Sequence, residues 1–238
     1  MDPEVDFNQF EVLSFDCYGT LIDWERGIID AVKPVLQSHR ISINVETLLN
    51  RYAEVESRIE AGTYLAYRQV LQMIMDGFAE KYDFKLREGE RDVIANSIGK
   101  WPAFPDTVNT LQRLKEQFKL AIISNVDADL FDLTLRHLRV AFDWVVTASE
   151  VGAYKPDRKM FTEAMKTFDV PKERWLHVAQ SLYHDIVPAN DLGIATVWIN
   201  RRKNSPGSGA TPPAKVNPDM EFETLEGLAH AAATHEQV

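Results

Sequence analysis

Three polar residues, Asp16, Ser124 and Asp185, lie at or shortly beyond the ends of short apolar runs. A lysine, Lys155, precedes Pro156, and a proline fits the first turn of a helix. The helix dipole disfavours a cation at this end of a helix, so Lys155 indicates that an anion lies close to it. If these groups meet, a carboxylate, a hydroxyl, an ammonium group and a second carboxylate form a nucleophile with its electrostatic support. These four residues are therefore candidates for catalysis.

The apolar runs predict the strands of a buried parallel sheet. They cover residues 11–15, 120–123, 144–146, 175–178 and 195–199. Helical patterns cover residues 107–118, 128–138, 156–168 and 183–192. Asp127 is predicted to cap the helix that starts at residue 128, which leaves Ser124 free for the site. The alternation predicts a Rossmann-like, doubly wound α/β fold with its site at the carboxyl ends of the strands.

Residues 24–100 interrupt this alternation with helical patterns alone. The predicted helices cover residues 27–38, 45–61, 64–82 and 89–100, and Pro102 and Pro105 mark the return to the core. The sequence thus predicts a catalytic core of residues 1–23 and 101–238 with an inserted all-helical cap over the end of the first strand. After a loop at residues 204–218, a short strand and a helix are expected.

Composition excludes several classes of protein. The chain has 238 residues, 45% of them hydrophobic, and a net charge of −10, so no basic stripe favours nucleic acid. The apolar runs are too short to span a bilayer, and residues 1–4 do not resemble the start of a signal peptide, so we expect a cytoplasmic protein without a membrane partner. The lone cysteine, Cys17, is expected to be a buried thiol, which excludes an internal disulfide.

Four segments of the sequence resemble the motifs of the haloacid dehalogenase superfamily, in order and spacing. They are residues 15–21 (Phe-Asp-Cys-Tyr-Gly-Thr-Leu), 123–125 (Ile-Ser-Asn), 154–157 (Tyr-Lys-Pro-Asp) and 181–185 (Ser-Leu-Tyr-His-Asp). The resemblance implies that Asp16 is a nucleophile that forms a covalent aspartyl ester. It also implies that Thr20 and Ser124 donate hydrogen bonds to Asp16, that Lys155 is its counter-charge, and that Asp185 positions the hydrolytic water.

Two departures distinguish this chain from most members of the superfamily, which resemble magnesium-dependent phosphatases. Tyr18 stands where they have a second aspartate, and Ala179-Gln180 replaces their Gly-Asp pair. Magnesium prefers carboxylate oxygens, so the sequence predicts no metal and no other cofactor. The tyrosine pattern resembles the L-2-haloacid dehalogenase branch, which implies displacement of halide from C2 and release of a 2-hydroxy acid.

The same resemblance implies a small carboxylic acid as substrate. Six residues are expected to bind it: Tyr18, Asn125, Arg51, Gln180, Phe161 and His184. Arg51 would supply the positive charge that binds the substrate carboxylate, and Arg58 and Arg68 are the alternative candidates. A solvent-exposed arginine on the helix explains Arg51 equally well. Ring opening of L-azetidine-2-carboxylate and a magnesium-dependent phosphatase remain alternatives, and the sequence allows a homodimer.

Overall fold

A computed structural model describes residues 6–205 and 207–234, without the side chain of Thr234. The first residues, on which the expectation about a signal peptide rests, lie outside the described part of the chain, as do residue 206 and the last four residues of the predicted core.

A six-stranded, all-parallel sheet forms the centre of the molecule, in the order β3-β2-β1-β4-β5-β6. The strands are β1 (Val12–Phe15), β2 (Lys119–Ser124), β3 (Trp144–Thr147), β4 (Trp175–Ala179), β5 (Ala195–Ile199) and β6 (Met220–Phe222). This arrangement confirms the predicted α/β class. Every residue of β1 is buried, as expected for a strand with helices on both faces.

Ten α-helices surround or extend this sheet within the described residues. They are α1 (Trp24–Ser38), α2 (Val45–Glu60), α3 (Tyr67–Lys81), α4 (Val93–Ser97), α5 (Thr107–Lys115), α6 (Ala128–Leu138), α7 (Ala148–Val151), α8 (Lys159–Phe168), α9 (Val187–Leu192) and α10 (Leu225–Thr234). Short 3₁₀ turns cover Phe7–Gln9, Glu90–Asp92, Ile98–Lys100 and Lys172–Arg174, and a π-helical turn covers Leu182–Ile186. None of the described helices is long and apolar enough to span a bilayer.

Strand order places the candidate residues at one edge of the sheet. β1 lies between β2 and β4, so the carboxyl ends of these three strands are neighbours. From β1 the chain adds β2 and β3 on one side of the sheet, and then adds β4, β5 and β6 on the other side. The strand order therefore reverses next to β1, and the carboxyl end of this strand lies at a topological switch point. Ligands of doubly wound folds bind at such a point.

The helical insert between β1 and β2 contains α1 to α4 and the flanking 3₁₀ turns, as a cap. The limits predicted for it, residues 24 and 100, stay a prediction. One correction concerns Asp127, whose carboxylate does not bond the backbone of its own helix α6. It accepts hydrogen bonds from the backbone N–H groups of Tyr67 (2.9 Å) and Arg68 (3.1 Å), at the start of α3. A core residue therefore caps a helix of the insert, and α3 begins at Tyr67 rather than at the predicted residue 64.

Two predicted helices near the site also begin or divide differently. α8 starts at Lys159 rather than Pro156, because the Asp157 carboxylate accepts the Lys159 N–H (2.8 Å) and closes a turn before the helix. The predicted helix at residues 183–192 divides into the π-helical turn and α9, with Pro188 at the start of α9. Proline lacks the N–H group that would continue a regular α-helix through this segment.

Candidate active site

Asp16 lies at the end of β1 with its carboxylate held on both oxygens. Oδ1 accepts a hydrogen bond from Lys155 Nζ at 2.9 Å, and Oδ2 accepts one from Thr20 Oγ1 at 2.7 Å. The residue is only 7% exposed. Burial raises the pKa of the carboxyl group and Lys155 acts in the opposite direction. This arrangement presents a fixed, partly desolvated carboxylate to a ligand above the strand.

The turn after β1 brings Thr20 back toward Asp16. Its Oγ1 also accepts the Gln180 backbone N–H at 2.8 Å, which orients the hydroxyl hydrogen toward Asp16. Gly19 has φ of +96°, and a Cβ atom there would lie 3.0 Å from Trp24 Nε1. The turn therefore requires glycine for both conformation and space.

Lys155 provides the single ammonium group of this constellation. Its Nζ donates to Asp16 Oδ1, to Asp185 Oδ1 (2.7 Å) and to the Ile123 carbonyl (2.8 Å), so all three protons have acceptors. The side chain is 1% exposed. Burial opposes the charge, but the two aspartates raise the pKa of Lys155 above its ordinary value. The ammonium group thus stays charged between the two carboxylates.

The Asn125 amide fixes the backbone from which this lysine extends. Its Oδ1 accepts the Lys155 N–H at 2.7 Å, and its Nδ2 donates to the Lys155 carbonyl at 3.0 Å. The residue following β2 is therefore tied to the segment before α8.

Asp185 is oriented by a buried chain of hydrogen bonds that starts in the sheet. Trp175 Nε1 donates to Ser14 Oγ at 2.6 Å, Ser14 Oγ lies 2.7 Å from His177 Nδ1, and His177 Nε2 lies 2.9 Å from Asp185 Oδ1. Indole is only a donor and a carboxylate only an acceptor, so Ser14 donates to His177 and His177 Nε2–H donates to Asp185. Burial opposes ionisation, but Lys155 and then His177 hold the pKa of Asp185 below its usual value.

A small pocket of about 40 Å³ lies above these groups, between the sheet edge and the cap. It is lined by Asp16, Tyr18, Trp24, Glu56, Glu60, Tyr67, Ser124, Asn125, Lys155, Ser181, His184, Asp185 and Thr211. Four of the five predicted catalytic residues line this pocket. The fifth, Thr20, does not line it but donates a hydrogen bond to Asp16.

Three residues that were expected to bind substrate lie elsewhere. Arg51 Nη2 donates to the Gly77 carbonyl (3.0 Å), which directs its side chain toward α3. Gln180 lines neighbouring clefts, and Phe161 is fully buried with its ring edge-on to His177 at 4.9 Å. Of the reserve arginines, Arg58 is exposed. Arg68 lies near Asp129 (3.7 Å). No arginine is among the described lining residues.

Three other predicted residues do line the pocket, with contacts that the sequence did not indicate. Ser124 Oγ is buried and forms no hydrogen bond among the described residues, so the bond expected to Asp16 is not formed. The Tyr18 hydroxyl lies 2.8 Å from Thr134 Oγ1. Burial lowers the pKa of His184 to about 4, so its imidazole is neutral at ordinary pH.

Comparison with known proteins places this arrangement in a family. The model of the haloacid dehalogenase-like hydrolases matches residues 10–193, which is most of the chain. The chain belongs to the haloacid dehalogenase-like hydrolase family. It is a hydrolase enzyme.

The curated relatives of this haloacid dehalogenase-like hydrolase include two kinds of enzyme. The (S)-2-haloacid dehalogenase 1 of Pseudomonas sp. (strain CBS-3) is 29% identical over 195 residues, 79% of this chain and 83% of the relative. The pyrimidine 5'-nucleotidase YjjG of Escherichia coli (strain K12) is 32% identical over 124 residues, 51% of this chain and 55% of the relative.

Among solved structures, the L-2-haloacid dehalogenase from Xanthobacter autotrophicus with chloropropionic acid covalently bound has a TM-score of 0.76. The match covers 94% of this hydrolase and 98% of that chain at 16% identity. At this identity the likeness shows the fold.

The donor set around Asp16 in this hydrolase is poor for a magnesium ion, because Tyr18 and Gln180 stand where the phosphatase pattern has carboxylates. The ammonium group of Lys155 lies between the two carboxylates, at hydrogen-bonding distance from both. Magnesium requires several oxygen ligands, so a cation at this position would compete directly with Lys155.

Sequence reasoning missed several residues of this site, among them Glu56, Glu60 and Thr211. A signal was present for the glutamates: Glu56 and Glu60 follow Tyr52 at intervals of four residues, so they lie on the buried face of α2. An acidic residue on an apolar helix face requires an explanation. Thr211 belongs to the loop before β6, and nothing in its local sequence indicated the pocket.

His177 was missed as well, and its contact with Asp185 leads to a prediction. We expect His177→Leu to lower kcat by about 10-fold with little change in KM, because loss of one hydrogen bond to a carboxylate leaves Asp185 less well oriented. Steady-state kinetics on the substrate established for the wild type measures both constants.

Phe161→Leu is the matched control for this variant. Phe161 packs against the same His177 ring but makes no hydrogen bond to Asp185. Its substitution should lower the thermal midpoint without lowering kcat comparably. Equal losses of kcat in the two variants would mean that His177 acts only through core packing.

Proposed function

We propose that this hydrolase displaces a leaving group from C2 of a small carboxylic acid through an ester on Asp16, without a metal ion. The residues Tyr18 and Gln180 carry the proposal, because they stand where the phosphatase pattern has carboxylates, the ligands that magnesium prefers. The Lys155 ammonium group supplies a fixed positive charge to Asp16 and Asp185. The relatives named as (S)-2-haloacid dehalogenases support the same reaction.

In the first step a carboxylate oxygen of Asp16 attacks C2. A new O–C2 bond forms, and the bond to the leaving group breaks, with its electron pair departing on that group. Thr20 and Lys155 keep the carboxylate oriented, which lowers the entropic cost of reaching the attack geometry. Attack on carbon does not bring the nucleophile against a phosphate dianion, so no metal is needed to screen charge.

In the second step water attacks the carbonyl carbon of the Asp16 ester. Asp185 Oδ2 is buried and has no hydrogen-bond partner among the described residues, so it is available to accept a hydrogen bond from that water. Ser124 Oγ is also unpartnered and can donate to an oxygen of the substrate or ester. Cleavage releases a 2-hydroxy acid and restores the Asp16 carboxylate. One proton of the attacking water ends on the product hydroxyl, and the other is released to solvent.

Halide is the leaving group that the relatives favour. A ring amine, as in L-azetidine-2-carboxylate, is a second candidate because the cap places Glu56 and Glu60 in the pocket and no arginine among its described lining residues. A phosphatase reaction has less support, since Tyr18 and Gln180 replace two carboxylates of that pattern.

We expect turnover of (S)-2-chloropropionate or L-azetidine-2-carboxylate to persist in EDTA. Ion chromatography detects chloride from the first substrate, and mass spectrometry detects the amino-hydroxy acid from the second. Loss of activity in EDTA that added magnesium restores would contradict the metal-independent mechanism.

The pH profile of the same reaction provides a second readout. Burial lowers the pKa of His184 to about 4, so its charge does not change between about pH 5.5 and 8. We therefore expect no His184-dependent limb near the usual imidazole range, and His184→Ala should leave the shape of the profile unchanged there.

A further inference from the structure

The cap side of the pocket carries two carboxylates, Glu56 and Glu60, on one face of α2. Glu56 is 4% exposed, and its Oε1 accepts hydrogen bonds from the hydroxyls of Tyr52 (2.9 Å) and Tyr67 (2.8 Å). These tyrosines hold the Glu56 carboxylate in a fixed orientation at the wall of the pocket.

Glu60 is less completely satisfied. Its side chain is 6% exposed, and its Oε2 lies 3.4 Å from Asn125 Nδ2 and 4.0 Å from His184 Nε2. Its Oε1 is buried and has no hydrogen-bond partner among the described residues. A buried carboxylate oxygen without a donor is costly, so the pocket contains an open position for an N–H or O–H donor.

The charges around the pocket favour a cationic donor over a neutral one. Its lining contains four carboxylate residues, Asp16, Asp185, Glu56 and Glu60, and Lys155 as the sole Lys or Arg among the described lining residues. The Lys155 ammonium already donates to both aspartates and to a carbonyl. The glutamates therefore have no cation of the protein with which to pair inside the pocket, within the described residues.

We propose that Glu56 and Glu60 bind a protonated nitrogen of the substrate, so that the substrate is a small C2-substituted acid with an ammonium group. This inference rests on the proposed attack of Asp16 at C2 and specifies which acids reach it. A secondary ammonium in a small ring can donate to both glutamates at once, since it has two N–H groups.

The same contact explains how an amine can leave without a separate acid. When Asp16 attacks C2 of a protonated ring amine, the C2–N bond breaks and its electron pair goes to nitrogen. The nitrogen keeps both hydrogens and becomes a neutral primary amine at the end of the opened chain. Neither Tyr18 nor His184 then needs to donate a proton, in agreement with the Tyr18 hydroxyl contact with Thr134 and the neutral His184 imidazole.

The ionisation of the two glutamates is consistent with a site completed by its ligand. Burial raises the pKa of Glu56 to about 7, against the effect of the Tyr67 and Tyr52 hydrogen bonds. Burial and then the neighbouring Glu56 raise the pKa of Glu60. An ammonium group between them would favour the charged form of both carboxylates.

Glu60→Gln and Glu56→Gln test the proposal, because glutamine keeps the shape and removes the charge. For L-azetidine-2-carboxylate we expect kcat/KM to fall by about 10- to 100-fold in each variant, the effect of losing a hydrogen bond to a charged group. For (S)-2-chloropropionate we expect little change in kcat/KM, because this acid has no N–H group to donate to the glutamates. Glu54→Gln is the matched control on the same helix, since its side chain is 64% exposed, and it should change neither value.

Binding to the Asp16→Asn protein separates this proposal from the proposed reaction. Calorimetry should detect L-azetidine-2-carboxylate, and the added Glu60→Gln change should weaken that binding by about 10-fold or more. Such weakening would support the ammonium site even if no turnover is found. Equal losses on both substrates, no change on either, or no binding of the ammonium acid would overturn it, while ¹⁸O incorporation at Asp16 would still test the nucleophile alone.

Discussion

Asp16→Asn should abolish turnover, by at least about 10⁴-fold in kcat, and this is the largest effect expected for any single substitution. An amide is a poor nucleophile and also loses the charge that Lys155 binds. With the wild-type enzyme in excess in ¹⁸O-water, the product of the first turnover should be unlabelled. Label should enter the Asp16 carboxylate over repeated turnovers, because water attacks the ester at the aspartyl carbon.

Mass spectrometry of the peptide that contains Asp16 measures the label. Asp191→Asn is a control of the same chemical type, because Asp191 lies on the surface and pairs with Arg158. That variant should keep wild-type kinetics. Label that appears in the product at the first turnover would mean that water attacks the substrate directly, and the covalent mechanism would be wrong.

The second large effect is expected for Lys155→Ala, which should lower kcat by at least about 100-fold, equivalent to about 3 kcal/mol of transition-state stabilisation. Burial already raises the pKa of Asp16, and Lys155 is the main influence that lowers it. Without the lysine the pKa of Asp16 rises further, so less of the nucleophile is ionised at neutral pH. The acid limb of the residual pH–rate profile should therefore move to higher pH.

Lys159→Ala is the matched control for this effect. Lys159 lies four residues further along the chain, is exposed, and donates to the Val151 carbonyl at 2.6 Å. Circular dichroism should first establish that the Lys155 variant is folded, because two buried carboxylates lose their counter-charge. A folded Lys155→Ala enzyme within a few-fold of the wild type, with an unshifted acid limb, would exclude the proposed role.

The sequence predicted the parallel core well because its signals are local. α6 and β5 have the predicted bounds, residues 128–138 and 195–199, since each is a single apolar pattern with clear ends. Asp16 and Lys155 meet because strand ends converge in this fold. The location of Lys155 was predicted partly from a helix that starts at Pro156. The helix instead begins at Lys159, and Lys155 extends from the preceding turn to contact Asp16.

The cap side of the pocket was predicted poorly because it depends on the rotation of a helix. Successive residues of a helix differ by about 100° in direction. If the alignment of a cap helix with the family is wrong by one residue, the position that it assigns to the substrate side points elsewhere. Tyr52, beside Arg51 in sequence, is fully buried and bonds Glu56, whereas Arg51 extends toward α3. The four-residue spacing of Tyr52, Glu56 and Glu60 indicates the buried face of α2, but the tertiary packing of this helix determined which charge enters the pocket.

The bonds between Asp127 and the start of α3 have a consequence for how this enzyme can evolve or be redesigned. Asp127 binds backbone N–H groups, so the attachment depends little on which side chains stand at positions 67 and 68. Residues of the cap that line the pocket, including Tyr67 itself, can therefore be exchanged while this attachment to the core is retained. Libraries that vary positions 56, 60 and 67 and keep Asp127 would sample new substrates on an unchanged nucleophile.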